Sequence, residues 1–274
     1  MLESLEGVSR IAIDTTHGVN YFAVALVEAS RLAATIHLLK NSMELKDVEI
    51  YRYNSDPVVG RPHGEVKINL LSSERLGGLA ASYLAHAVEN LVATHGSIFK
   101  TASYLQSSWK KIERESWEVA LSAAILLVRG APTWALRVAR EAKVPTRGEV
   151  VKRLEEAEIE CREKDGKTVC SYSWGSEMPT KDVVVIGELV STLKKLEEDL
   201  HCEQCVENAR CYDLEKLKTV VERVYPRNVA HLFTHEVEKL RKALGGVRDA
   251  KALRFKPGEI DPRNLYAHAG LAQG

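Results

Sequence analysis

The chain has 274 residues, enough for about two compact domains. Apolar residues make up 45% and charged residues 28%, a balance that excludes a disordered chain and predicts a buried core. Lys plus Arg equals Asp plus Glu at 38 each, so no global positive field can hold nucleic acid non-specifically, and any such contact must be local.

In chain order, Val8–Asp14 (VSRIAID) is short and rich in branched residues, and predicts a buried strand of a parallel sheet. After a turn, Asn20–His37 is mostly apolar and rich in alanine, which predicts a helix packed on that sheet. Residues 46–54 and 65–71 read as two further strands. Three strands are few for an open sheet, where about five or six are usual, as if earlier strands were absent from this polypeptide or supplied by another. Ser72 and Ser73 can cap a helix, and long helical segments are expected over 74–94, 97–129 and 133–143, separated at Gly96 and at Gly130-Ala131-Pro132. No uninterrupted apolar run reaches the roughly 20 residues of a membrane span, and MLESLEG has neither a basic start nor a long apolar stretch; a cytoplasmic protein with no membrane partner is expected.

Thr146 and Glu149 form a capping-box pattern at the start of a short helix. An Asp165-Gly166 turn in 157–174 then predicts a hairpin in which Lys164 faces Lys167 and Cys161 faces Cys170. That register permits a cross-strand disulfide, although free thiols are the default in a reducing compartment. Helix plus hairpin resembles part of a winged helix. Pro179-Thr180 opens another helix to about Leu200, and two more run to about Tyr225 and Leu244. Between them His201, Cys202, Cys205 and Cys211 could ligate zinc, but one C-x-x-C without a second well-spaced pair is a weak pattern, and no metal site is assigned. Neither dinucleotide nor P-loop glycine fingerprints occur.

Near the end lies 261-DPRNLYAHAGL-271. Asp261 is a good N-cap and Pro262 suits the first helical position, so Arg263 falls in the first turn, where backbone N–H groups, the helix dipole and a guanidinium suit a phosphate. His268 lies five residues on, about 140° round an ideal helix. Two such helices facing each other across a two-fold axis would combine both residues in one groove. A histidine can move a proton from a ribose hydroxyl or to a leaving oxygen, and an arginine can stabilise charge on phosphorus oxygens. Arg227, Asn228 and His231 repeat the residue types with one residue fewer between arginine and histidine.

R-N-L-Y-A-H is similar to the R-x-x-x-x-H signature of HEPN ribonucleases, and the A-G-L after it strengthens the likeness. At the other end, D-x-T-H-G-x-N in 13-IDTTHGVNYF-22 resembles the ligand loop of CARF domains. Together the two motifs resemble the CARF–HEPN ribonuclease effectors of type III CRISPR systems, of the Csx/Csm type, with both ends looking truncated. The fold that this resemblance implies is α/β plus all-α. It has a partial Rossmann-like CARF sheet over 1–73, a helical connector with a winged hairpin over 74–180, and a HEPN helical bundle over 181–274 that can recruit helices from 97–145.

The resemblance implies a homodimer or higher homo-oligomer that binds cyclic oligoadenylate as an allosteric activator and cuts single-stranded RNA without a metal cofactor. Arg263 and His268 would be catalytic, with Asn264 an auxiliary polar group; Asp14, Thr15, Thr16, His17, Gly18 and Asn20 would form the activator loop. The alternative is a non-catalytic CARF/winged-helix regulator that senses a nucleotide and binds DNA. Residues 147–160, with more glutamates than basic residues, argue against phosphate tracking by that helix.

Overall fold

The computed structural model describes residues 8–16, 20–55, 67–156, 158–164, 166–173, 180–201 and 212–244. Among them the chain forms two compact units: one of residues 1–86, 128–132 and 198–274, the other of 87–127 and 133–197. The secondary structure is mixed but mostly helical.

The first unit is built on a three-stranded sheet ordered β1-β2-β3, from β1 (Arg10–Asp14), β2 (Glu49–Ser55) and β3 (Ile68–Arg75). β1 and β2 run parallel, joined by the crossover helix α1 (Asn20–Lys40), and β3 returns antiparallel to β2. The expected helix start at Ser72-Ser73 is overturned. Both serines extend β3, paired with Arg52 and Tyr51, and the helix α2 (Ala80–His95) begins later. Ladder hydrogen bonds from a strand distant in sequence outweigh the capping preference of serine.

The turn between β3 and α2 needs its two glycines. Gly78 has φ +70°, and a Cβ on Gly77 would sit 2.8 Å from Cβ of Asp47. The Gly78 N–H donates to the carbonyl of Arg223 in α8 (Leu214–Val224), and the Arg223 guanidinium donates to the carbonyl of Ser42 at 2.7 Å. α8 packs on α9 (Arg227–Leu244), so the sheet shares one core with helices from the far end of the chain. Leu38, Leu39, Leu76, Leu84, Leu217 and Phe233 are fully buried in this unit.

Phe22–Lys40 is long and apolar enough to cross a membrane by length and composition. Its C-terminal half buries Ala33, Ala34, Ile36, Leu38 and Leu39, and Arg31 is ion-paired to Glu28 and Glu74, as in a core helix lying on a sheet.

The second unit contains α3 (Ile98–Ser108), α6 (Arg147–Glu155) and most of α4 (Arg114–Val128), α5 (Pro132–Glu141) and α7 (Lys181–Leu200). Trp117, Leu121, Leu136, Ile186, Leu189 and Leu193 form its core. The single helix expected over 97–129 is two. Ser97 caps α3, accepting from the N–H of Lys100, but Trp109 leaves helical geometry to bury its indole. No glycine or proline marks that break; tertiary burial makes it.

The capping box is present. The Thr146 N–H donates to the Glu149 carboxylate at 2.7 Å, and the Glu149 N–H donates to the Thr146 hydroxyl. The hydrogen bonds from Thr146, backbone first and then side chain, hold the Glu149 carboxyl below its ordinary value. This stabilisation is therefore present above the unfolded carboxylate range and is lost as pH falls through the depressed folded value.

The hairpin β4 (Glu158–Lys164) and β5 (Lys167–Ser173) pairs in the expected register, Lys164 with Lys167 and Cys161 with Cys170, around Gly166 at φ +70°. Cys161 and Cys170 form a disulfide, and both cysteines are exposed. A two-stranded hairpin alone is marginal in water, and a cross-link over nine residues contributes about 2–3 kcal/mol through the unfolded chain. Replacing both cysteines by serine should speed proteolysis within 158–173 at least tenfold and leave the helical melting transition in place. An unchanged cleavage rate would mean that the strands hold without the link.

Candidate functional site: the carboxyl end of the sheet

The sheet has two unlike faces. Ile13, Val48 and Ile50 are buried on the side that carries α1, which contacts β1. Arg10, Ala12 and Asp14 alternate with Ile13 on the opposite side and are exposed. Through the register they share that open face with Glu49, Tyr51 and Tyr53 of β2, and these with Arg75, Ser73 and Leu70 of β3.

At the carboxyl ends of β1 and β2 the predicted activator loop begins, and side chains tie the two strand ends together. Thr15 gives both its N–H and its hydroxyl to the Tyr53 carbonyl, each at 2.9 Å. The Ser55 N–H donates to the Thr16 hydroxyl oxygen at 2.7 Å, and the Thr16 N–H donates to Asp14 Oδ1 at 2.8 Å. These bonds assign roles. Thr15 donates its hydroxyl hydrogen and retains oxygen lone pairs able to accept; Thr16 accepts at its hydroxyl oxygen and retains an O–H able to donate, a complement that can serve a phosphate oxygen. Asp14 shapes the turn. Asn20 begins α1, while His17 and Gly18 lie outside the described residues.

Sequence reasoning missed the groups that β-pairing brings beside this loop. The Tyr51 and Tyr53 rings stack at 6.4 Å between centroids and 23° between planes. The Tyr51 hydroxyl donates to Glu49 at 2.7 Å, and Glu49 is bridged by Arg10 and Arg75, each at 3.2 Å. The Tyr51 hydroxyl, then Arg75 and Arg10, hold the Glu49 carboxyl below its ordinary value, and the bond to Glu49 raises the Tyr51 phenol. One residue before Tyr53, where the β2–β3 ladder shifts register, Arg52 Nε is buried without a hydrogen-bond partner among the described residues. The alternation of 49-EIYRYNS-55 hinted at two tyrosines on one face, but not at their position beside Thr15.

Arg263, Asn264 and His268 lie outside the described residues, as do Cys202, Cys205 and Cys211. Among the described residues no group of three His, Cys, Asp or Glu is placed to hold a metal. Arg227, Asn228 and His231 stand exposed on the first turns of α9.

Residues 1–57 match the family model of the CARF domain of the CRISPR system endoribonuclease Csx1. The match supports a CARF protein of type III CRISPR systems. It ends just past the Thr16–Ser55 bond, so it takes in β1, α1, β2 and the loop between them. A CARF domain implies sensing of cyclic oligoadenylate in CRISPR defence. A search of the curated proteins found no match.

Thr16→Val removes both services of the hydroxyl. The variant should lose activator affinity roughly ten- to a hundredfold, as for one hydrogen bond to a charged group, and should also melt lower because the Ser55 N–H loses its acceptor. Thr16→Ser should restore both. A melting shift with an unchanged titration midpoint would remove Thr16 from the pocket.

Proposed function

We propose that this chain is a cyclic-oligoadenylate-activated, metal-independent endoribonuclease that cleaves single-stranded RNA in CRISPR antiviral defence, working as a homodimer or higher homo-oligomer in the cytoplasm. The observation that carries the reading is the CARF match over 1–57, which takes in a strand-end loop where the Thr15 and Thr16 hydroxyls tie β1 to β2. The carboxyl ends of strands in α/β sheets are where ligands bind. The catalytic part rests on R-x-x-x-x-H at Arg263–His268, in the HEPN bundle proposed for 181–274.

In this mechanism the nucleophile is the ribose 2′-oxygen of the RNA itself. His268 moves the proton from the 2′-hydroxyl or to the departing 5′-oxygen. Arg263 stabilises the charge on the phosphorus oxygens, and Asn264 helps to orient the phosphate. Paired helices from two protomers complete the groove. The activator, held in the CARF domain, shifts the population toward the cleaving conformation by binding it more tightly.

The test incubates the full chain with labelled single-stranded RNA and a panel of cyclic oligoadenylates, with EDTA present. Cleavage that needs an activator, survives EDTA and leaves a 2′,3′-cyclic phosphate is expected. No cleavage under any of these conditions, with activator-dependent binding of duplex DNA instead, would favour the regulator reading, which the capped helix α6 and the hairpin after it would then serve.

A further inference from the structure

The open face of the sheet carries an aromatic column whose order along β2 has a direction. Tyr51 and Tyr53 are two residues apart on one strand, so their rings succeed each other along it, and Tyr53 is the member nearer the carboxyl end. One side of the Tyr53 ring is turned to Tyr51. Beyond Tyr53 comes the strand end, where Thr15 is tied to the Tyr53 carbonyl and Thr16 to Ser55.

We propose that Tyr53, backed by Tyr51, is the base-stacking platform of the nucleotide site, so that a base of the bound oligonucleotide forms the third layer of the column. The inference rests on the nucleotide reading of the loop and adds to it the residue that holds the base.

The strand beneath the column and the ring of Tyr51 are held by bonds within the protein. The backbone of Tyr53 is held through its carbonyl by two donors from Thr15, and the ring of Tyr51 is anchored by its hydroxyl on Glu49, itself clamped by two arginines. A platform with few rotamers left to lose spends little of its stacking energy on ordering. Electrostatics sets which part of a nucleotide lies here. Asp14 is exposed on the same face as Tyr53, its register partner. A carboxylate beside the ring repels a phosphate and tolerates a neutral base, whose amino group it can accept. Arg10 and Arg75 do not reverse this preference, because Glu49 and Asp47 neutralise them. Charge alone would thus make the face a poor phosphate surface, while its rings make it a good base surface.

Direct titration of the full chain with cyclic tetra- and hexa-adenylate decides the matter, using wild type, Tyr53→Phe and Tyr53→Leu. Tyr53→Leu should bind roughly ten- to a hundredfold more weakly, as for loss of one base–aromatic stack, while Tyr53→Phe stays within about threefold of wild type. Binding by wild type with Tyr53→Leu unchanged would overturn the platform and leave the nucleotide site standing. Equal loss in Leu and Phe variants would overturn it in favour of a hydroxyl contact. A wild-type chain that binds neither ring would sink the nucleotide reading itself, and the platform with it. If Tyr53→Leu does not fold, the ring protons of Tyr53 in wild type give the answer: upfield shifts on adding the adenylate are expected, and unshifted signals at saturation refute the stack.

Discussion

Under the proposed mechanism His268→Ala should lower activated RNA cleavage by about two to four orders of magnitude, the range that a positioned proton-transfer group supplies, and should leave the circular dichroism spectrum and the activator titration unchanged. Loss confined to turnover is expected because the activator loop near Thr16 belongs to the CARF segment, far along the chain from His268. The matched control is His231→Ala. His231 stands exposed on α9 four residues after Arg227, so its removal disturbs no core and should retain most activity. Equal loss at both positions would show that the arginine–histidine pair was chosen wrongly, and full activity of His268→Ala would remove that residue from the mechanism.

Phe233→Ala should destabilise the first unit by about 3–5 kcal/mol, because the ring is 0% exposed and its deletion leaves a cavity where α9 joins the core. For a chain of this size that lowers the melting temperature by roughly 6–20 °C. Leu232, its neighbour in sequence, is 51% exposed, and Leu232→Ala should stay within about 0.5 kcal/mol of wild type. Similar melting of the two variants would place the core of this unit elsewhere.

What could be read from the sequence follows the range of the interactions. The Thr146–Glu149 capping box spans three residues, and the hairpin register follows from one turn; both are local and both stand as expected. The end of β3 depends on its pairing with β2, and the break at Trp109 goes with a buried indole, so local preference misled at both. The site divides in the same way. Thr15 and Thr16 were named from a contiguous motif, and the bonds that they make across to β2 are what the structure adds. Tyr51, Tyr53 and the Glu49 clamp were not legible, because only the pairing of β2 with β1 sets them beside those threonines. The arginine–histidine pair rests on its motif alone and lies outside the described residues.

The bond from Arg223 to the Ser42 carbonyl bears on how this protein is made. It closes a gap of 181 residues within one unit. During synthesis at about 5–20 residues per second, the sheet and α1 therefore wait roughly 9–36 s for the helix that completes their core. Throughout that interval α1 is without α8, which contacts it in the folded unit, and a nascent chain in this state is a natural client for a chaperone at the ribosome. The same ordering constrains how the CARF-matched segment can be isolated. A fragment that stops at the end of β3 should be recovered as aggregate, whereas one that also supplies α8 and α9 on a separate polypeptide could be rescued by complementation.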